Sequence, residues 1–364
     1  MKDRDKTKIC ILTQSLSGGG AERSVALLTQ LLDAVDFEVH VVTVLDGVDF
    51  PYAGQLHNLG RIRYSGPRWW STLQRLRYLR ALIQEEQFDW IIDNRPRVNR
   101  FRESVYNRFI LPLDRTLFVV RSARLSTYIP DSPWMISHFY AKAARWVCVS
   151  KEIATHLQIR YGLDNVTTIH NAVQQLKTSG VQVHSAPYLL AYGRLEDKIK
   201  NYSLLLEAFA RSGVARHGMH LIIMGDGPDK AKLMQKSVEL GLEAYVRFLP
   251  YVATPGDVVS QARFVTLTSR YEGFPRVLIE ALALGVPVVS VDCSSGPKEI
   301  VQDGENGLLV PNHQVDKLAK AFHRMVNDHE LYAHLKKNAA ASVAHLAPQH
   351  IAAQWQQLLT HEDD

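Results

Sequence analysis

Short apolar runs rich in Val and Ile alternate along the whole chain with stretches of helical periodicity. This alternation is typical of parallel sheets, because two parallel strands need a crossover connection that is usually a helix. The pattern predicts six strands in each half of the chain. They are Ile9–Thr13, Val39–Leu45, Trp90–Ile92, Leu117–Val120, Trp146–Val149 and Thr167–Ile169, then Tyr188–Ala191, Leu221–Met224, Val246–Phe248, Phe264–Leu267, Val288–Val291 and Leu308–Val310.

The chain length of 364 residues exceeds what one hydrophobic core usually organises, so two α/β domains are expected. The polar segment 174–187 has no helical periodicity and ends in Ser-Ala-Pro, which indicates a linker. We therefore predict Rossmann-like domains over residues 1–180 and 181–346. Only helical patterns follow the last strand, and a break at Pro348 predicts a final helix within 347–364 that turns back to pack on the first domain.

The composition is that of an ordinary globular chain, with 46% hydrophobic and 22% charged residues. The beginning of the chain lacks an apolar export signal, and the longest apolar run, Ala281–Val291, is roughly half a membrane span. Three widely spaced cysteines, Cys10, Cys148 and Cys293, lie in or beside predicted strands, which favours buried reduced thiols over disulfides or a zinc site. We expect a cytoplasmic protein, either free or peripheral on the inner face of the cytoplasmic membrane.

The net charge of +5 is unevenly distributed, since the first 180 residues carry 24 Lys and Arg against 17 Asp and Glu. The basic excess peaks between Arg61 and Arg108 and includes Arg68-Trp69-Trp70. Arginines beside exposed tryptophans would suit an anionic membrane surface or a phosphorylated acceptor. A solvated helix face over a core tryptophan is the alternative interpretation. No nucleic-acid partner is predicted.

A glycine-rich loop, Ser17-Gly18-Gly19-Gly20, follows the first predicted strand and leads into an apolar helical stretch. Consecutive glycines allow backbone amides to approach an anion, and a helix N-terminus favours negative charge, so Gly19 and Gly20 are candidates for phosphate contact. A tight strand-to-helix turn is the alternative. A nicotinamide fingerprint would need glycine at Arg23, and the Lys-Ser/Thr pair of a phosphate-loop ATPase is missing, so both classes are excluded.

A basic loop, Gly193-Arg194 through Lys200-Asn201, follows the first strand of the second predicted domain. An arginine fork and a lysine point charge could hold a diphosphate and stabilise a departing nucleotide without a metal. On spacing alone, a solvated basic turn is the better interpretation.

The segment Ser269–Val291 has the pattern strand, loop, helix, turn, strand. Pro275 suits the first helical turn and Gly285 a C-terminal cap. Glu280 lies among apolar core positions, so its carboxylate needs a partner, and a vicinal sugar or ribose diol would provide two hydrogen bonds. Glu272 could serve the same chemistry or merely favour the helix dipole.

These motifs together resemble glycosyltransferase family 4, which comprises retaining enzymes of the GT-B fold with two Rossmann-like domains facing a cleft. The resemblance rests on the spacing Glu272-x7-Glu280, the Gly18–Glu22 loop, Gly193-Arg194-Leu195 with Lys200-Asn201, and Asp303–Val310. It covers the second domain almost continuously and the first only at its beginning. The segment Ser294-Ser295-Gly296-Pro297 followed by Glu299 resembles the subgroup that builds bacterial surface polysaccharides and lipid-linked oligosaccharides.

The resemblance implies a first domain that binds the acceptor and a second domain that binds the nucleotide sugar. It implies that Glu280 binds the donor ribose, that Glu272 faces the transferred sugar, and that Arg194 and Lys200 hold the diphosphate. It also implies front-face attack in which a leaving-group phosphate oxygen takes the acceptor proton, with no metal and no cofactor. The residues implied to line the phosphate and sugar are Gly273, Phe274, Pro275 and either Gly19 or Gly20.

The chain departs from the family pattern at two places. Arg194 and Lys200 are one residue further apart than usual, so Lys198 is an alternative to Lys200. Many relatives carry a histidine after the strand Leu117–Val120, where this chain has Arg121-Ser122-Ala123-Arg124. Whatever that histidine does for the donor sugar must then fall to a backbone amide, to Ser122 or to an arginine. Arg121 is also a candidate contact for the acceptor or the membrane.

The predicted function is retaining, metal-independent transfer of a hexose or N-acetylhexosamine from a UDP-sugar to a glycan or lipid-linked saccharide in surface-polysaccharide synthesis. Two alternatives stay open. One is an inactive glycosyltransferase-like binding subunit. The other is a different GT-B activity, such as nucleotide-sugar epimerisation or glycogen-type synthesis.

Overall fold

The computed structural model describes residues 6–62 and 67–360, without the side chain of Arg68. The chain forms two compact units, each built on a parallel sheet. One unit runs to Ala172 and takes in the chain from Pro348 onward, and the other is Val173–Ala347. The prediction of two Rossmann-like α/β domains is confirmed.

The sheet of the first unit has seven strands in the order β3-β2-β1-β4-β5-β6-β7, and all its pairs are parallel. The strands are β1 Lys8–Thr13, β2 Glu38–Thr43, β3 Gln55–Asn58, β4 Trp90–Asp93, β5 Thr116–Val120, β6 Arg145–Cys148 and β7 Val166–Thr168, and the helices are α1 Gly20–Ala34, α2 Arg68–Glu86, α3 Arg100–Phe109, α4 Pro133–His138 and α5 Lys151–Tyr161. Six of these strands match the prediction. Strand β3 was missed because it is a polar edge strand without an apolar run.

The sheet of the second unit has six strands in the order β10-β9-β8-β11-β12-β13, and all six were predicted. The strands are β8 Tyr188–Tyr192, β9 His220–Met224, β10 Val246–Leu249, β11 Phe264–Leu267, β12 Val288–Asp292 and β13 Gly307–Pro311. The helices are α6 Asp197–Lys200, α7 Tyr202–Ser212, α8 Lys230–Glu239, α9 Gly256–Ser260, α10 Arg276–Ala283, α11 Pro297–Ile300, α12 Val315–Asn327 and α13 His329–Ser342.

The central strands have continuous apolar sequences because helices cover both faces of each sheet. All residues of β5 and β11 are buried. Helices α7 and α12 pack together over the second sheet through fully buried Phe209, Phe322 and Met325. Burying one such side chain contributes about 1.5–3 kcal/mol, so this layer is a major source of the stability of the second unit.

The strand order of each sheet reverses beside the first strand of the unit, between β1 and β4 and between β8 and β11. Doubly wound sheets bind their ligands at such points, beyond the carboxyl ends of the strands. The glycine loop follows β1, the Gly193–Asn201 loop follows β8, and the Glu272 loop follows β11. The predicted motifs therefore lie where each sheet is built to receive a ligand.

The last helix, α14 Pro348–Thr360, packs on α1, and the Trp90 indole N–H donates to the carbonyl of Leu359 at 2.8 Å. The predicted return of the C-terminal helix to the first domain is confirmed. No helix in residues 6–62 or 67–360 combines the length and apolarity that a membrane crossing requires.

The segment 174–187 contains no helix or strand, but it is fastened to the second unit rather than free. The Asp257 carboxylate, near the start of α9, accepts hydrogen bonds from the amides of Ser179 and Gly180 and from the Ser179 hydroxyl. The second unit accordingly begins at Val173, ahead of the predicted boundary after residue 180.

Candidate active site

Two loops of the second unit, one after β8 and one after β11, are hydrogen-bonded to each other. The Thr268 hydroxyl donates to the carbonyl of Lys200 at 3.0 Å, and the amide of Arg270 donates to the carbonyl of Ile199 at 2.8 Å. The Arg270 guanidinium donates to the Asn201 side chain at 3.1 Å. These bonds join loops that are about 70 residues apart in the chain, because β8 and β11 are neighbours in the sheet.

Glu272 and Lys200 meet at this junction. Lys200 Nζ lies 2.7 Å from Glu272 Oε1, and the Ser269 hydroxyl donates to the same oxygen at 2.6 Å. The two side chains are 26% and 13% exposed, so the pair is partly screened from water and held more firmly than a surface ion pair. The structure therefore brings these two predicted site residues into direct contact.

The extra residue between Arg194 and Lys200 is absorbed by the short helix α6. The helix ends at Asn201, whose φ of +53° is a left-handed conformation that asparagine tolerates better than most residues. Lys198 is exposed on this turn, whereas Lys200 points to Glu272. Of the two predicted alternatives, Lys200 is the lysine at the junction.

Glu280 lies on α10 and is 2% exposed. Arg276, one turn earlier, donates from Nη2 at 2.9 Å and from Nε at 3.2 Å to Oε1, while the Tyr192 hydroxyl donates to Oε2 at 3.0 Å. The partner expected for this buried carboxylate is supplied by the protein itself, which leaves the contact with a ribose diol a prediction. Arg276 could have been identified as a partner from the sequence, because it lies four residues before Glu280 on the same helix. Tyr192 belongs to β8, and no local sequence pattern connects it with Glu280.

Arg194 is 70% exposed at its side chain, and its Nε lies 3.6 Å from Glu196 Oε2. A solvated pair of this kind contributes little stability, so the guanidinium can turn toward an anion at small cost. Each of the three cations Arg194, Lys200 and Arg276 thus has a carboxylate beside it. An incoming diphosphate would have to share these cations with the protein.

The turn that precedes α10, Gly273-Phe274-Pro275, is buried and braced by the segment after β12. The Ser295 hydroxyl donates to the carbonyl of Gly273 at 2.8 Å. A Cβ on Gly296 would lie 2.5 Å from Pro275 Cδ, and the φ of Gly296 is +97°, so this position requires glycine. The Ser-Gly-Pro motif therefore has a structural role in shaping the loop that carries Glu272.

The glycine loop of the first unit places Gly19 at the N-cap of α1, with Gly18 at φ +94° and Gly18 and Gly20 exposed. No side chain caps this helix. A Cβ on Gly19 would lie 2.6 Å from Glu22 Oε2, which is the end of a flexible side chain that can move aside. Uncapped amides at a helix N-terminus favour an anionic ligand, as predicted for this loop.

Arg121 follows β5 in the first unit and is half-buried. Its Nε donates to Asn94 Oδ1 at 2.9 Å and its Nη1 to Asn171 Oδ1 at 2.9 Å. Both acceptors are neutral amide oxygens, and they fix the orientation of the guanidinium. The predicted acceptor contact is thus a fixed cation at the carboxyl edge of the first sheet.

A buried charged cluster after β4 was missed by the sequence analysis. Arg95 Nη2 donates to Asp93 Oδ2 at 2.8 Å and to Glu103 Oε2 at 3.2 Å, and all three side chains are buried. Burial alone would lower the pKa of Arg95, but the two carboxylates raise it overall, so the arginine stays charged. The run Asp-Asn-Arg-Pro-Arg directly after a predicted strand was the available signal.

The Arg68-Trp69-Trp70 motif begins α2. Trp69 is 66% exposed and packs edge-on against the half-buried Trp70, with ring centroids 5.7 Å apart. Trp69 therefore does not fit the alternative interpretation of a solvated helix face over a core tryptophan, and Trp70 is only half-buried. The side chain of Arg68 lies outside the described residues.

Metal-ligand side chains come close together at a different place. In the described part of the chain, the group found is Glu38, His40 and Glu86, whose ligand atoms lie within 4.8 Å of one another. Lys8 Nζ already lies 2.9 Å from Glu86 and 3.5 Å from Glu38. The group sits at the amino end of β2, which is the edge of the sheet opposite to its ligand-binding edge.

Solved structures share this two-unit architecture. The structure of a S. aureus TarM mutant in complex with fondaparinux, alpha-GlcNAc-glycerol and UDP superimposes with a TM-score of 0.79 over 98% of this chain and 100% of that chain, at 14% identity. The structure of Anabaena HepE in complex with UDP and glucose gives 0.76 over 97% and 99%, at 22% identity. These similarities define the fold as GT-B, the two-domain class of glycosyltransferases.

Two family models match consecutive parts of the sequence. Glycosyltransferase Family 4 matches residues 18–175, and Glycosyl transferases group 1 matches residues 174–342. The chain therefore consists of two glycosyltransferase domains, a Family 4 domain followed by a group 1 domain.

Curated relatives match different shares of their own length. The N-acetylgalactosamine-N,N'-diacetylbacillosaminyl-diphospho-undecaprenol 4-alpha-N-acetylgalactosaminyltransferase of Campylobacter jejuni is 27% identical over 356 residues, covering 91% of this chain and 93% of the relative. An exopolysaccharide phosphotransferase of Streptomyces coelicolor is 36% identical over 156 residues, covering 43% of this chain but 17% of the relative.

Proposed function

We propose that this chain is a retaining glycosyltransferase that moves a hexose or N-acetylhexosamine from a UDP-sugar to a glycan or lipid-linked saccharide during surface-polysaccharide synthesis. The observation that carries the proposal is the contact of Lys200 with Glu272 beside the point where the second sheet reverses its strand order. The two family-model matches support transfer, and the Campylobacter relative is named for a lipid-diphosphate-linked saccharide. The two similar solved structures contain UDP.

Glu280 is proposed to bind the donor ribose. Its carboxylate is oriented before any ligand arrives, since Arg276 holds Oε1 and Tyr192 holds Oε2. An ionised carboxylate has about four lone-pair directions, so it can accept bonds from ribose hydroxyls while it keeps its protein donors. Preorganisation of this kind reduces the entropy lost when the nucleotide binds.

Arg194 and Lys200 are proposed to hold the diphosphate and to stabilise the charge that develops on the departing UDP. The exposed Arg194 can turn to the phosphates, and Lys200 can bind them while Glu272 fixes its position. Two cations aimed at the leaving group supply the electrostatic stabilisation that the reaction needs, and we propose that no metal or cofactor takes part.

The proposed reaction proceeds on one face of the sugar. The bond from the anomeric carbon to the phosphate oxygen breaks, the bond to the acceptor oxygen forms on the same face, and the acceptor proton passes to a leaving-group phosphate oxygen. Glu272 faces the transferred sugar and needs no proton-transfer role in this scheme. We place the reaction at the cytoplasmic face of the membrane, where the acceptor would be lipid-linked.

The proposal is tested by a donor screen followed by kinetics. We expect calorimetry to show binding of UDP-sugars in preference to GDP- and ADP-sugars, and slow release of free sugar and UDP when no acceptor is present. Transfer without inversion, read from the anomeric NMR signal of the product, and activity in EDTA are expected. An inverted product would contradict retention, and a chain that binds UDP-sugars without any hydrolysis or transfer would be a binding subunit.

Arg194→Ala is the sharpest variant for the diphosphate assignment. Losing one donor to developing phosphate charge costs about 3 kcal/mol, so the turnover number should fall about a hundredfold. Arg216→Ala is a matched control, since Arg216 is also an exposed arginine of the second unit but lies in the turn that precedes β9, away from the site loops. Equal turnover in the two variants would contradict the diphosphate role of Arg194.

A further inference from the structure

Tyr202, the first residue of α7, is 3% exposed, yet its hydroxyl takes part in none of the hydrogen bonds found among residues 6–62 and 67–360. The hydroxyl oxygen is not one of the enclosed side-chain atoms without a partner in the described residues, so it reaches accessible space, where a ligand could meet it. Two other tyrosines of the same unit use their hydroxyls within the protein. The Tyr188 hydroxyl donates to the carbonyl of Val258 at 2.8 Å, and the Tyr192 hydroxyl donates to Glu280 at 3.0 Å.

The Tyr202 hydroxyl lies beside the backbone of the basic loop after β8. A Cβ built on Gly193 would have, apart from its chain neighbours, a single heavy atom within 4 Å, and that atom is the Tyr202 hydroxyl oxygen at 3.5 Å. The space in front of Gly193 is therefore open except for this oxygen. Gly193 has a φ of +143°, which an L side chain rarely adopts, so the position stays without a side chain.

The same hydroxyl is close enough to the Glu272 carboxylate to interact with it electrostatically. Burial, and then the Glu272 carboxylate, raise the pKa of Tyr202, so the hydroxyl keeps its proton at neutral pH. A protonated phenol is a neutral hydrogen-bond donor. It is thus an unused donor beside the backbone that precedes Arg194, and it interacts electrostatically with the carboxylate proposed to face the transferred sugar.

We propose that Tyr202 donates a hydrogen bond to the terminal phosphate of the nucleotide diphosphate. This inference rests on the proposed function, in which Arg194 and Lys200 hold the diphosphate and Glu272 faces the sugar attached to it. The hydroxyl lies beside the Gly193 backbone that precedes Arg194 and interacts electrostatically with Glu272, the carboxylate that the proposed function places at the sugar end of the diphosphate. A neutral donor there stabilises the phosphate oxygen without adding a charge that the site would have to balance.

The variant Tyr202→Phe tests this role, with UDP and UMP as probes in calorimetry. We expect the Kd for UDP to rise five- to tenfold, whereas the Kd for UMP, which lacks the terminal phosphate, stays unchanged. The melting temperature should not fall, because the hydroxyl makes no bond within the described protein. Tyr188→Phe is the matched control, and it should melt at a lower temperature while it binds UDP normally, since it loses the bond to Val258.

The possible results separate this inference from the proposed function. A wild-type chain that binds no UDP would overturn both the UDP-sugar donor and the role of Tyr202. Wild-type binding of UDP with an equal Kd in Tyr202→Phe would overturn the role of Tyr202 alone. Equal losses for UDP and UMP, or an altered KM for the UDP-sugar with unchanged UDP binding, would place the hydroxyl elsewhere on the ligand and overturn the assignment to the terminal phosphate.

Discussion

Replacing Glu280 by alanine should destabilise the second unit as well as weaken nucleotide binding. The carboxylate is buried and accepts two hydrogen bonds from Arg276 and one from Tyr192. Its removal leaves a buried guanidinium without its carboxylate. The Tyr192 hydroxyl keeps a hydrogen-bond acceptor in this variant, because it lies 3.3 Å from the carbonyl of Val277.

The expected cost follows from the burial of the pair. Breaking a buried ion pair by removing one partner costs about 3–5 kcal/mol, since the remaining charge stays desolvated. For a unit of this size that corresponds to a fall of roughly 6–20 °C in melting temperature. Glu280→Gln keeps an acceptor oxygen and the side-chain shape, so it should cost less than Glu280→Ala.

A double variant separates stability from ligand binding. Adding Arg276→Met to Glu280→Ala removes the uncompensated charge and should recover about 2 kcal/mol or more. It does not restore a carboxylate for the ribose, so weak UDP binding should persist. Glu243→Ala, at an exposed glutamate of the same unit, is the control and should change the free energy of unfolding by less than about 0.5 kcal/mol.

The choice of assay matters because all six tryptophans, at positions 69, 70, 90, 134, 146 and 355, belong to the first unit. Urea unfolding of the second unit should therefore be followed by circular dichroism rather than by tryptophan fluorescence. A shift below about 1 kcal/mol for Glu280→Ala, or a double variant no more stable than the single one, would refute the reasoning. Normal UDP binding by the double variant would refute the ribose role.

Three further predictions concern the rest of the chain. Replacing Trp69 and Trp70 by alanine should abolish co-sedimentation with vesicles that contain anionic lipid, and unchanged sedimentation would exclude this surface as the membrane contact. Burial, and then the neighbouring His40, lower the pKa of His57 below 6.5, so its contribution to stability is present above pH 6.5 and is lost as the pH falls through the lowered pKa. Melting followed by tryptophan fluorescence from pH 5 to 8 should show this loss of stability, and the loss should be smaller in His57→Gln. Identical pH profiles of melting temperature for the wild type and the variant would contradict the assignment of the loss to His57. Burial raises the pKa of the three free thiols, which belong to Cys10, Cys148 and Cys293. A thiol reagent should therefore modify them quickly only after the protein unfolds. Fast labelling of the native chain would contradict their burial.

The strands and the motifs were largely predictable because both leave a local pattern. A buried parallel strand is a continuous apolar run, and its ligand loop begins where that run ends. Strand β3 is the exception, since a polar edge strand has no such run. Arg276 could also have been found, because its spacing of four residues from Glu280 places both side chains on one face of a helix.

The contacts that define the site depend on distant parts of the chain. Whether Lys198 or Lys200 reaches Glu272 is decided by the short turn α6 and by the left-handed Asn201. Tyr192 reaches Glu280 and Tyr202 reaches the open space at Gly193 through packing that no local pattern encodes.

Glu272 and Glu280 show most clearly what the sequence determines and what the tertiary structure decides. The sequence alone determined that two glutamates eight positions apart follow a buried strand, and that one of them sits among core residues. Only the tertiary structure decided their partners, Lys200 for Glu272 and Arg276 with Tyr192 for Glu280. The physical reason is the pairing of β11 with β8, which places two loops about 70 residues apart in the chain side by side at one edge of the sheet.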